Sequence, residues 1–370
     1  MANASGTKYI GILTSGGDCP GLNAAIRGVA KAASGAYGMD VVGILDGFTG
    51  LVENRVIRLI DSEMTGLLTM GGTILGSSRN KPNKMPLPGG ASRDMTGAAV
   101  ETYQRLGLDC LVCLGGDGTA KNALHLKKAG LNVITLPKTI DNDVVETDVS
   151  FGFDSAMAIA TEALDRLHTT ASSHARIMLV DIMGNKAGWL ALSASLAGGA
   201  DVCLIPEIPF RFESIVNAIE DRQRRSRRFS LISVAEGAFA AAPEVKKRSG
   251  REASKKASTV PGKGGSVPIL GSAALAKALE ARVGLEARVT TLGYVQRGGI
   301  PTPADRLLAT QLGTAAAKLI AEGTYGVMVA IKGHEAVPVP LEKVAGRRKT
   351  VPLDHPMIQT ARLIGLCLGD

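Results

Sequence analysis

The sequence predicts an α/β protein of about two domains, each built on a mainly parallel sheet with helices on both faces. Three observations carry this reading. Short, almost unbroken apolar runs alternate with longer segments of helical periodicity from one end of the chain to the other, the pattern of strands buried on both faces. The 370 residues include 45% hydrophobic and 21% charged ones, ordinary globular composition that excludes wholesale disorder. At about 150 residues per domain, that length suffices for two cores.

In chain order, the run 9–14 (YIGILT) is the first strand, ended by a Ser-Gly-Gly turn, and 21–33 is the first helix. Strand 41–45 follows. Strand 108–114 (LDCLVCL) leads through glycines into helix 119–129, and strand 133–136 into a polar loop. Helix 154–170, strand 176–181, helix 187–197, strand 202–205, helix 212–225 and strand 229–235 continue the alternation. Helix 272–283, strand 287–292, helix 303–321 and strand 326–331 complete it. The segment 240–266 breaks the pattern: rich in Ala, Gly, Pro, Ser and Lys, it reads as an exposed, mobile basic insertion within a domain. Helix 187–197 with Trp189 reads as packing.

The formal charge of +8 is local. Twelve basic and only three acidic residues fall between Arg222 and Lys263, so the remainder of the chain is close to neutral. Aromatic residues make up 4%. A nucleic-acid surface would spread its basic residues along one face and add stacking rings, so nucleic-acid binding is not expected. The first fifteen residues lack the features of a signal peptide, and no segment offers about eighteen uninterrupted apolar residues; a soluble cytoplasmic protein with no membrane partner is expected. Of the five cysteines, Cys110 and Cys113 form a CxxC inside an apolar strand with no second pair at zinc spacing, and all five read as inert thiols.

Ligands of parallel sheets bind at the carboxyl ends of strands, and three post-strand loops stand out there. The first, 14–23 (TSGGDCPGLN), combines glycines with a helix N-terminus and suits an anion; a tight strand-to-helix turn explains it equally well. The second, 115–119 (GGDGT), frames Asp117 with glycines, so a carboxylate can hold Mg²⁺ while amides hold phosphate oxygens. It occurs in several kinds of kinase and leaves the acceptor open. The third, 137–143 (PKTIDND), places two carboxylates two residues apart, with a hydroxyl at Thr139. One carboxylate can accept an alcohol proton and the other can tune metal or water.

These loops, together with GGTILGSSR (71–79), ASSHAR (171–176), AGGAD (197–201), AEG (235–237) and LGYVQRGG (292–299), resemble the phosphofructokinase family, from about residue 10 to 306. The resemblance implies the phosphofructokinase fold: two Rossmann-like three-layer αβα lobes, with a donor-binding lobe at 1–152 plus 296–348 and a sugar-phosphate lobe at 153–295 plus 349–370. It implies phosphoryl transfer to the 1-hydroxyl of fructose 6-phosphate, with Mg²⁺ on Asp117. Asp141 matches the general base, Thr139 an acceptor-positioning residue, and Lys138 a charge on the transferring group. Gly17, Arg79, Asn80, Gly116, Asp117, Gly118 and Thr119 match donor-binding positions. Thr139, Asp141, Arg176, Met183, Gly184, Asn185, Glu236, Arg288, Tyr294 and Arg297 match sugar-phosphate positions. In the family the two arginines at 176 and 288 serve a neighbouring subunit, which implies a homo-oligomer, a tetramer or dimer with shared sites.

Members use ATP or pyrophosphate. Gly118 leaves room for the α-phosphate of a nucleotide, whereas Lys138 is typical of pyrophosphate users; ATP is the expected donor and pyrophosphate the alternative. Asn185 stands where the family has arginine, a loss of one cation facing the phosphoryl group, for which Lys186 or Lys138 is the available substitute. That departure keeps open a paralogue with another sugar phosphate or a regulatory role. Tyr294 replaces a frequent histidine. Arg225, Arg227 and Arg228, with Arg27, Lys31 and Asp201, match an anionic-effector pocket in which His168 replaces an arginine.

Overall fold

The computed structural model describes residues 7–87, 89–241, 259–262, 265–268 and 271–370. The chain divides into two compact units, Met1–Ala156 with Arg297–Lys349, and Met157–Gln296 with Thr350–Asp370.

The first unit begins with β1 (Tyr9–Thr14), α1 (Leu22–Tyr37), β2 (Asp40–Ile44), α2 (Phe48–Glu53) and β3 (Val56–Arg58). A short ribbon, β4 (Met85–Pro86) and β5 (Ser92–Arg93), precedes α3 (Thr96–Arg105), β6 (Cys110–Gly115), α4 (Asp117–Lys128) and β7 (Val133–Pro137). The chain leaves in α5 (Phe153–His174) and builds the second unit from β8 (Ile177–Ile182), α6 (Trp189–Ala197), β9 (Val202–Leu204), α7 (Phe212–Arg224) and β10 (Ser230–Ala235). The pair β11 (Thr259–Gly262) and β12 (Gly265–Pro268), then α8 (Gly271–Val283) and β13 (Ala287–Thr291), follow. On its return to the first unit the chain forms α9 (Pro303–Ala321), β14 (Val327–Lys332), β15 (Glu335–Pro340) and α10 (Leu341–Val344); α11 (Pro356–Leu363) belongs to the second.

Seven strands of the first unit lie in the order β15-β14-β7-β6-β1-β2-β3, and four of the second in the order β13-β8-β10-β9. The four-stranded sheet is parallel throughout. The larger one is parallel at its centre and closed by antiparallel strands, β3 on β2 and β15 on β14. β6 is buried at every residue, which is why its sequence shows no polar alternation. β15 carries Pro338 and Pro340, which lack ladder donors and are tolerated because the strand is an edge.

Leu13, Ile44, Phe48, Leu111 and Ala330 share the core of the first unit; Ile177, Leu204, Ile219, Ile232 and Leu279 share that of the second. Helices α1 and α9 meet backbone to backbone. A Cβ at Gly28 would stand 3.0 Å from Thr310 O, and one at Gly313 would stand 2.8 Å from Ala25 O, so only glycine permits this approach. Thr302 caps α9 by accepting from the Asp305 N–H at 3.4 Å, with Pro303 at the first helical position.

The basic insertion expected at 240–266 lies for the most part outside the described residues. Within its described part, β11 and β12 pair antiparallel. Four cysteines are buried and Cys367 is half-buried; all five are free. Burial pushes the thiols of Cys19 and Cys203 up to about 12, so they remain protonated and unreactive. Among the described residues no helix is long and apolar enough to cross a membrane.

Candidate active site

The three glycine-rich loops of the first unit leave the carboxyl ends of neighbouring strands β1, β6 and β7 and are bonded to one another. Ser15 N–H donates to Leu114 O at 2.9 Å and Lys138 N–H to Gly115 O at 3.1 Å. Thr119 Oγ1 donates to Ser15 O at 3.4 Å. A Cβ at Gly115 would run into the Thr119 side chain, so glycine there seats that hydroxyl beside the first loop. Lys138 is 3% exposed, and its ammonium donates to Gly17 O. Burial pulls its pKa down, against Cys19, Asp18 and Asp141, which hold it up. A Cβ at Gly17 would lie 2.8 Å from Arg297 Nη1, the flexible end of that side chain. Thus two cations, Lys138 and Arg297, border the backbone of one residue.

Asp117 opens α4, where the helix dipole favours a carboxylate. It pairs with Lys121 at 2.7 Å and accepts from Gly346 N–H at 2.7 Å. No cluster of three or more metal-ligating side chains occurs among the described residues. A single carboxylate next to phosphate-binding amides is nevertheless the usual Mg²⁺ arrangement, since that ion takes its remaining ligands from water and substrate phosphates. Gly118 is exposed, and a Cβ there would have no atom within 4 Å.

Within the third loop, Asp141 N–H donates to Thr139 Oγ1 at 3.1 Å, a turn that places the hydroxyl beside the carboxylate residue. Asp143, the second carboxylate of this loop, is 7% exposed and pairs with Arg348 Nε at 3.4 Å. It lies within electrostatic reach of Asp117 as well. Asn80 Nδ2 donates to Thr49 Oγ1 at 3.0 Å, whereas exposed Arg79 makes no ion pair among the described residues. The loop 70–74 is pinned by fully buried Asn23, whose Nδ2 donates to Gly71 O at 3.1 Å and whose Oδ1 accepts from Ile74 N–H at 2.9 Å.

The second unit carries the other positions. Met183 N–H donates to Gln296 Oε1 at 3.3 Å, and Asn185 N–H to Glu236 Oε2 at 3.2 Å. Asn185 has φ 52°, a left-handed conformation that asparagine tolerates better than arginine does. This supplies a physical reason for the residue found. Of the two candidate substitutes for the missing cation, Lys186 is exposed in the second unit, whereas Lys138 is buried within electrostatic reach of Asp141. Arg176 Nε and Arg288 Nη2 donate to the two oxygens of Glu286. Tyr294 is 76% exposed. The acid expected in an effector pocket, Asp201, is engaged by Arg222 at 2.6 Å, while Arg225, Arg227 and Arg228 are exposed. His168 stands edge-on to Phe229 at 4.9 Å.

A phosphofructokinase family profile matches residues 9–320. The chain belongs to the phosphofructokinase family. It is 53% identical over 369 residues to the ATP-dependent 6-phosphofructokinase of Spirochaeta thermophila, covering 98% of both chains. It is 54% identical over 383 residues to that of Propionibacterium freudenreichii, covering 98% of this chain and 99% of the relative. The crystal structure of Pichia pastoris phosphofructokinase in the T-state matches with 31% identity and a TM-score of 0.79, over 92% of this chain and 36% of that one. This chain therefore spans little more than a third of the yeast protein. A pyrophosphate-dependent phosphofructokinase from Marinobacter aquaeolei shares the fold at a TM-score of 0.78 and 21% identity, over 98% of this chain and 88% of that one. Phosphofructokinases are kinases that act with a divalent metal, and the Asp117 donor set suits one.

Glu286, Arg348 and Lys349 escaped the sequence reading. Glu286 had one available signal: an acid two residues before Arg288, at the start of a strand whose arginine matches an anion-binding position.

Proposed function

We propose that the chain transfers the γ-phosphoryl group of ATP to the 1-hydroxyl of fructose 6-phosphate, giving fructose 1,6-bisphosphate, a reaction of glycolysis. The observation that carries this is the mutual bonding of the three post-strand loops, with Lys138 seated on Gly17 O. That bonding supports the reading because it gathers the turn proposed for phosphate, the carboxylate proposed for the metal and the loop proposed to carry the base.

Asp141 takes the proton of the attacking hydroxyl, with Thr139 orienting the acceptor. Gly17, Arg79, Asn80, Gly116, Gly118 and Thr119 receive the donor phosphates. Lys138, preorganised and dehydrated, stands in for the family's arginine at position 185 by stabilising charge on the moving phosphoryl group. Mg²⁺ held with the donor by Asp117 would neutralise charge on its phosphate oxygens. Met183, Gly184, Asn185, Glu236, Tyr294 and Arg297 bind the sugar phosphate. Arg176 and Arg288 serve a neighbouring copy in a cytoplasmic homo-oligomer. Open space at Gly118 supports a nucleotide donor; Lys138 is the feature that favours pyrophosphate.

An aldolase-coupled assay with fructose 6-phosphate, run with ATP and with pyrophosphate, tests the reading. ATP-dependent turnover is expected, reduced by several orders of magnitude in Asp141→Asn. Turnover with pyrophosphate alone reassigns the donor, and undiminished activity in Asp141→Asn removes Asp141 as base.

A further inference from the structure

We propose that Lys349 is a positioning residue for phosphoryl transfer, holding the loop of Asp141 in its productive shape. The proposal rests on Asp141 being the base. Lys349 is the last residue of the first unit, and both its ends bind the loop. Its N–H donates to Asp143 O at 2.8 Å. Its ammonium donates to Asn142 Oδ1 at 3.1 Å, Thr147 O at 2.9 Å and Asp148 O at 2.8 Å.

Three acceptors converging on one point suit an ammonium, which has three donors, better than a planar guanidinium. The contact that matters is Asn142. This residue follows Asp141 directly and has φ 50°, a left-handed conformation held in part by what its side chain can bond. Asn142 Oδ1 also accepts from Ser150 N–H at 3.2 Å, and Ser150 Oγ donates to Thr139 O at 2.8 Å. The ammonium therefore stabilises the loop on both sides of Asp141. Arg348 on Asp143 adds a second tie from the same strap. Burial pulls the Lys349 ammonium down to about 8, with Asp148 and Asp143 the acids that hold it up. A group that is costly to bury in charged form is retained here next to the base-bearing loop.

The test uses the full chain and the ATP-dependent assay. Lys349→Met is expected to lower kcat about 10- to 100-fold, the range of a misplaced reacting group, with both KM values within about twofold and a cooperative melt. In an Asp141→Asn background the same substitution should lower the residual kcat no further, because the base it positions is gone. An unchanged kcat in Lys349→Met, or an equal fall in both backgrounds, overturns the proposal. Activity retained in Asp141→Asn alone instead overturns the assignment of the base. Should Lys349→Met fail to fold, Asn142→Gly keeps the left-handed conformation and removes the acceptor; it is expected to show the same kcat loss, and normal turnover there overturns the proposal equally.

Discussion

Arg176 and Arg288 hold opposite oxygens of a single carboxylate, that of Glu286. The two guanidinium groups expected to receive a dianionic sugar phosphate are thereby kept close together and oriented, yet already occupied. On the proposed function, an incoming phosphate meets both guanidinium groups with the Glu286 carboxylate already beside them.

Glu286→Gln removes the competing charge while keeping the shape. The two partly exposed pairs together contribute about 0.5–1 kcal/mol, so KM for fructose 6-phosphate is expected to fall about twofold to fivefold with little change in kcat. Arg176→Ala should raise the same KM at least tenfold. Initial-rate saturation curves measure both, and an unaltered KM in Glu286→Gln shows that the carboxylate does not compete.

Gly118→Asp introduces an anion into space that is open in this structure, at the second residue of α4, where the helix dipole accommodates it. The fold should be as stable as the parent, while KM for ATP rises about 100-fold or more and pyrophosphate use is spared or gained. Equal ATP kinetics in the variant would mean that the α-phosphate does not pass Gly118.

Lys349 gives a stability signature with a definite sign. Its pKa is lowered from 10.5 to about 8, so between those values the unfolded chain binds a proton that the native state does not. Stability contributed by this residue rises with pH across that window and is lost as pH falls through about 8. The melting temperature of Lys349→Met, compared with the parent from pH 7 to 10, should therefore drop further behind as pH rises. A constant difference would place the lysine's pKa at its ordinary value.

Asp305 is 1% exposed and accepts from Gly152 N–H at 2.9 Å, Ser155 N–H at 2.8 Å and Ser155 Oγ at 2.6 Å. Asp305→Ala leaves three buried donors without their acceptor and is expected to cost about 3 kcal/mol. Urea denaturation should show a lower midpoint at nearly constant slope; a midpoint within error of the parent would mean that water replaces the carboxylate.

The nine predicted strands correspond to β1, β2, β6, β7, β8, β9, β10, β13 and β14, because burial on both faces writes a continuous apolar run into the sequence. Elements at the margins left weaker traces. β15 (EAVPVP) is interrupted by prolines that only an edge tolerates, and α3 (TGAAVETYQR) buries few residues. The loop of Asp141 and the glycine turns were legible as loops after strands because their residues are contiguous in sequence. Glu286 was not, since its meaning lies in the two guanidinium groups it joins. Nor was Lys349, whose partners at 142–148 are about two hundred residues away in the sequence.

The glycine contact of α1 with α9 has a consequence for how the protein is made. Lys8 and Ile320, bonded beside it, are separated by 312 residues of sequence, an extreme of contact order, and such pairings slow folding. At synthesis rates of about 5–20 residues per second, α9 leaves the ribosome roughly 15–60 s after α1. Throughout that interval the glycine face of α1 has no mate, while most of the second unit is already available to fold. The nascent chain is therefore vulnerable at its amino end, and chaperone capture of ribosome-bound chains truncated before residue 303 would report it.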